Sequence, residues 1–157
     1  MEIQLSFQTD SELLGAIHEV RRRLEEAFAA DTAAPGFPGT VPSTGHCAAV
    51  STIVHEVLGG DLVSAKVAGV SHWFNRLRSN GFDVDVDLTG DQFGFPEVQV
   101  ATAGKLYAET RVRTFQHLNA ETLWRARTLA ARSGLHDVAM TIEKSLSDRV
   151  QTIKPSK

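Results

Sequence analysis

Residues 71–89 read SHWFNRLRSNGFDVDVDLT. On the far side of Asn80-Gly81, Phe82, Val84, Val86 and Leu88 alternate with Asp83, Asp85 and Asp87. A period of two marks a strand with one buried face. Asn-Gly between two such runs is the strongest short hairpin signal, because both residues tolerate positive φ. A two-residue loop sets Phe74 opposite Asp87 and His72 opposite Thr89. His72 and Asp87 then share a face as diagonal neighbours, roughly 7–8 Å apart at the backbone and within side-chain reach. A three-residue loop would shift the register by one and turn Asp87 away.

Working outward, Leu62 to Ala68 and Val98 to Ala101 read as further strands, and Thr89 to Pro96 as a loop. Upstream, residues 47–58 are apolar on nearly all sides (Ala48, Ala49, Val50, Ile53, Val54, Val57, Leu58), which predicts a buried helix. Thr44 is its expected N-cap and Gly59-Gly60 its stop. Residues 11–30 show helical spacing at Leu13, Leu14, Ile17, Val20, Leu24 and Phe28, with cap oxygens at Thr9, Asp10 and Ser11. The run Arg21-Arg22-Arg23 is expected to be a solvated helix side. Between these helices, residues 31–45 carry Pro35, Gly36, Pro38, Gly39, Pro42 and Gly45, a loop long enough to suggest a function. Residues 120–132, behind an Asn119 cap, and 136–150 complete the chain as helices. Helix, loop, buried helix, antiparallel strands and helices make an α+β domain spanning 1–157.

The bulk properties narrow the partners. A chain of 157 residues with net charge −3 presents no basic face for a phosphate backbone, so no nucleic-acid partner is expected. The first residues show no leader pattern and no run is long and apolar enough to span a membrane. Cys47 is the single cysteine, so its thiol has no intrachain partner. The expectation is a cytoplasmic protein with no membrane partner; the oligomeric state is left open.

Cys47 opens the buried helix. Helix N-termini carry unpaired N–H groups and the positive end of the macrodipole, which stabilise a thiolate. A nucleophilic thiol needs a base, and the base needs an orienting group. His72 and Asp87 are placed to be that pair. Asp91 and Asp85 are the rival orienters, and Asp83 and Asp85 are expected to be solvated. Asn75, Arg76 and Gln92 are candidates for substrate contact. The rival chemistry is zinc held by Cys47, His72 and an aspartate, but no close-spaced ligand pair supports it, so no metal is assigned.

These residues also resemble a family. Gly45-His46-Cys47, Gly59-Gly60, Ser71-His72-Trp73-Phe74-Asn75-Arg76-Leu77 and Asp87-Leu88-Thr89-Gly90-Asp91-Gln92-Phe93 are similar to the YunG-like bacterial family, over about residues 44–94. The order Cys, His, Asp also resembles the transglutaminase-like branch of the papain-like fold. The resemblance implies a papain-like/transglutaminase-like core with Cys-His-Asp chemistry, but no substrate. The family pattern has Gln before the Cys where this chain has His46, which leaves the oxyanion donor open between His46 and backbone amides near Cys47.

The expectation is a cysteine-dependent acyl hydrolase or transferase. Cys47 would attack an amide, thioester or ester carbonyl of a small-molecule or peptide substrate, and no cofactor is required. The alternative is a non-catalytic binding module of the same fold, recognising a peptide or small metabolite.

Overall fold

A computed structural model describes residues 6–7, 10–36 and 41–153. Four helices pack on one face of a sheet. The chain runs β1 (Ser6–Phe7), α1 (Asp10–Glu25), α2 (Cys47–Leu58), β2 (Asp61–Val67), β3 (Val70–Ser79), β4 (Phe82–Asp87), β5 (Gln99–Thr102), β6 (Arg111–Arg113), α3 (Ala120–Arg132) and α4 (His136–Ile153). Single 3₁₀ turns lie at Ala30–Thr32, Gly90–Phe93 and Phe115–His117. The strand order is β5-β4-β3-β2-β6 with every neighbouring pair antiparallel. The short β1 adds a parallel contact to the end of β3.

The β3–β4 hairpin has the register its sequence predicts. Asn75 pairs with Val86, Arg76 with Asp85 and Ser79 with Phe82. Asn80 and Gly81 both hold positive φ, 53° and 83°, as a two-residue turn between right-twisted strands requires. The β2–β3 turn is built the same way at Ala68 and Gly69, φ 50° and 78°.

Alternation divides the sheet's side chains. Leu62, Leu77 and Val86 face the helices and join Leu13, Ile17, Val20 and Leu24 of α1, Ile53 and Val54 of α2, Leu123 and Leu129 of α3, and Ile142 of α4. Each such buried side chain contributes about 1.5–3 kcal/mol. The other face carries Val63, Ala65 and Phe74, closed over by Tyr107. It also carries His72, opposite Ala65, and Asp85, opposite Arg76.

Helix α1 shows where a charge run misleads. Arg22 and Arg23 are exposed and paired with Glu19. Arg21 instead is 5% exposed. It lies four residues after Ile17, on the buried stripe, and donates to the Leu88 carbonyl and the Asp91 carboxylate. The helix ends at Glu25, so Phe28 packs from the following loop. The cap expected at Thr9 and residues 37–40 of the Pro/Gly loop lie outside the described residues. No helix among the described residues is long and apolar enough to cross a membrane.

Helix α2 begins at Cys47 and stops at Gly59, whose N–H reaches the His55 carbonyl. The next residue, Gly60, holds φ +78°, and a Cβ there would sit 2.3 Å from the Arg76 carbonyl oxygen. We predict that Gly60→Ala destabilises the fold by about 2–4 kcal/mol, combining positive-φ strain with overpacking against the backbone of β3. Urea denaturation monitored by circular dichroism measures it.

Candidate functional site

The site begins with the end of β4. Asp87 is 1% exposed. Its Oδ1 accepts from the Thr89 backbone N–H at 2.9 Å and from the Thr89 hydroxyl at 3.3 Å, the local turn an aspartate makes two residues ahead of itself. Its Oδ2 accepts from His72 Nε2 at 2.7 Å, and also from the Tyr107 hydroxyl. Tyr107 is in turn bonded by Gln99 Nε2 at 3.2 Å. Gly90 leaves room for this cluster: a Cβ there would lie 3.0 Å from Asp87 Oδ2 and 3.3 Å from the Tyr107 hydroxyl.

His72 is fully buried, edge-on to the Phe93 and Tyr107 rings. Burial by itself would discharge the imidazole. The hydrogen bond to Asp87 and the neighbouring Cys47 thiol outweigh it and raise the ring's pKa to about 9. With Nε2 held by Asp87, Nδ1 is left buried without a partner of full hydrogen-bond geometry. The Cys47 thiol, 2% exposed, lies beside this ring at the first residue of α2.

The predicted residues divide. Cys47, His72 and Asp87 are brought together. The rival orienters are otherwise engaged: Asp91 binds Ser43 and Arg21, and Asp85, buried rather than solvated, binds Arg76 at 2.6 and 3.0 Å and the Gly104 N–H. Only Asp83 is exposed, paired with Arg78. The Arg76 guanidinium also reaches Thr110, so its Nε and Nη2 donors are engaged within the fold. Asn75 is on the helix face, donating to the Ser51 carbonyl at 2.9 Å, where it pins α2 to the sheet.

His46 corrects two expectations. It, and not Thr44, occupies the N-cap position of α2, and it makes no side-chain cap bond. Its ring is buried, tilted against Phe28, with Nε2 2.7 Å from the Thr32 hydroxyl and Nδ1 3.2 Å from the Thr44 carbonyl. Desolvation lowers its pKa, and both ring nitrogens are already engaged, Nδ1 with the Thr44 carbonyl and Nε2 with the Thr32 hydroxyl. No ring N–H is left to point at a substrate oxyanion.

Gln92 is tied to the loop that enters α2. Its Oε1 accepts from the Gly45 N–H at 3.2 Å, two residues before Cys47, and the next residue is Phe93, on the His72 ring. Tyr107 was not singled out in the sequence. It is the chain's one tyrosine, in a stretch with neither helical nor strand period, so its approach to Asp87 leaves no local signal.

Among the described residues no group of three or more His, Cys, Asp or Glu side chains is arranged to hold a metal ion.

Residues 16–130 match the family model of the YunG protein. The chain belongs to the YunG family. The YunG match includes Cys47, His72, Asp87, Gln92 and Tyr107, and extends well beyond the resemblance read from residues 44–94. No curated protein and no solved structure matches the chain.

Two outcomes follow from the buried network. The His72 ring should titrate with a midpoint near 9, and Asp87→Asn should move it down; ring-proton NMR across pH 5–10 reads both, where ordinary imidazole titrates near ~6.5. The sign for stability is set by the same shift. The contribution of the charged ring is fully present below its ordinary value of 6.5 and is lost as pH rises through about 9. Separately, Tyr107→Phe removes a hydrogen bond to a buried carboxylate and should cost about 1.5–3 kcal/mol in denaturant unfolding at pH 7.

Proposed function

We propose that this member of the YunG family is a cysteine-dependent acyl hydrolase or acyltransferase on a papain-like/transglutaminase-like core. The observation that carries the reading is the ring of His72. One nitrogen is bound by a buried carboxylate, the other is unpartnered, and the only thiol in the chain lies beside it. A purely structural histidine in a core has both nitrogens satisfied. The order of a Cys-bearing helix followed by antiparallel strands with His and Asp supports the papain-like assignment.

In this mechanism the Cys47 proton is held on His72 Nδ1, as the raised pKa of the ring favours, and the thiolate sulfur attacks the carbonyl carbon of an amide, thioester or ester. The tetrahedral adduct collapses, His72 returns the proton to the leaving amine, thiol or alcohol, and a thioester remains on Cys47. Water or an amine then attacks that thioester, with His72 again taking the proton; the C–S bond breaks, the acid or new amide leaves, and the Cys47 thiolate and charged His72 ring are restored. Asp87 keeps the ring oriented and favours its charged form throughout. No cofactor enters any step, and the substrate is a small molecule or a peptide.

A second reading is a binding module that keeps the residues without the chemistry. The burial of Cys47 at 2% and His72 at 0% exposure is the observation in its favour. One experiment decides. Mixing the protein with p-nitrophenyl acetate should release p-nitrophenolate in a burst and add one acetyl group to Cys47 by mass spectrometry. His72→Ala should slow that burst by about 10²–10⁴-fold, the usual contribution of a positioned base, and Cys47→Ala should abolish it. Acylation of wild type no faster than in the urea-unfolded chain would leave the binding module.

A further inference from the structure

Four buried side-chain polar atoms among the described residues have no hydrogen-bond partner: Thr44 Oγ1, His72 Nδ1, Gln92 Nε2 and Arg127 Nε. Buried polar groups are normally satisfied, so each exception calls for a reason. Arg127 lies on α3. The other three belong to segments that meet at Cys47: Thr44 is three residues before it, His72 is beside it, and Gln92 is tied to Gly45.

For Gln92 the orientation is settled by chemistry. Gly45 presents an N–H, so the amide atom facing it must be the oxygen. The –NH₂ is therefore the free end. The side chain is 8% exposed, and its neighbours fix its place, with the Gly45 amide on one side and, one residue on, the Phe93 ring against His72. The start of α2 has donors to match, since its N-cap makes no side-chain bond and the first-turn N–H groups of a helix have no partners within it.

Resting on the acyl-transfer reading above, we propose that Gln92 Nε2–H is the side-chain donor of the oxyanion hole. It acts together with the first-turn amides of α2, in the role that the His46 ring is not free to play. As the Cys47 sulfur bonds to the carbonyl carbon, the carbonyl π electrons move onto oxygen. Gln92 and the α2 amides hold that charge until the bond from the carbon to the leaving nitrogen, sulfur or oxygen breaks and the carbonyl reforms. The carboxamide is held in advance by its own oxygen on Gly45, so it does not reorganise when the charge appears.

The test separates oxyanion binding from thiol activation by comparing two reagents on Cys47. p-Nitrophenyl acetate reacts through a tetrahedral oxyanion. Iodoacetamide alkylates by displacing iodide and forms none. Gln92→Ala and Gln92→Glu should each lower the ratio of acylation rate to alkylation rate by about 10²–10³-fold, the loss seen when one oxyanion donor is removed. Gln92→Glu keeps an oxygen for the Gly45 N–H but adds a charge, and Gln92→Ala adds no charge but drops that anchor, so a fall in both variants assigns the effect to the –NH₂, the one feature both lack. A ratio unchanged in Gln92→Glu, with wild type acylated in a His72-dependent burst, overturns the role of Gln92 and leaves the acyl-transfer reading standing. Wild type without such a burst overturns both.

Discussion

A carboxylate that leaves water must find its donors inside the protein, and Asp87 is such a carboxylate. An unpaired buried charge costs several kcal/mol, so the segments around Asp87 are placed by the need to supply it. Thr89 provides two donors through a turn of the chain that β4 makes as it leaves the sheet. His72 arrives through the register of the hairpin. Tyr107 arrives from the segment that crosses the sheet between β5 and β6. Gly90 contributes by having no side chain where these groups converge. Strand register, strand exit and loop path are thus tied to one functional group, and the imidazole beside the thiol is one of its three donor residues.

The loop entering α2 is held by a separate set of contacts. Ser43 donates to Asp91, which Arg21 also grips from α1. Gly45 donates to Gln92, and the Ala34 N–H reaches the Gly45 carbonyl. His46 is locked between Thr32 and Thr44. Cys47 therefore begins its helix from a loop braced on both sides. The groups left without partners, His72 Nδ1, Gln92 Nε2 and Thr44 Oγ1, belong to the segments that this network ties together around the start of α2. Preorganisation of this kind is what acyl-transfer chemistry uses.

How much of this was legible depended on whether the information was local. The hairpin was, because Asn80-Gly81 and strict alternation set a register, and with it the His72–Asp87 pairing. Helices α2 and α3 were legible too, from the glycines after Leu58 and the Asn119 cap, which accepts from Thr122 as expected. Burial of charge was not. Asp85 reads like a solvated strand carboxylate until Arg76 is seen opposite it, and Arg21 reads like its exposed neighbours until Asp91 arrives from seventy residues away. The three-residue β6 and the Tyr107 segment have too little pattern to announce themselves. His46 is the sharpest case: a histidine beside the nucleophile invites a chemical role, and only its two hydrogen bonds assign it to the loop.

The pairing of buried charges has a consequence for how this protein can vary over evolutionary time. Arg21 with Asp91, His72 with Asp87 and Arg76 with Asp85 each join one positive to one negative side chain inside the fold. Losing one member strands the other, whereas replacing both with matched apolar groups can be nearly neutral. For Arg76 and Asp85, adjacent across the hairpin, the permissible path is a double step that passes through a poorly stable intermediate. A single exchange at either position therefore carries a stability cost that a matched exchange of both avoids.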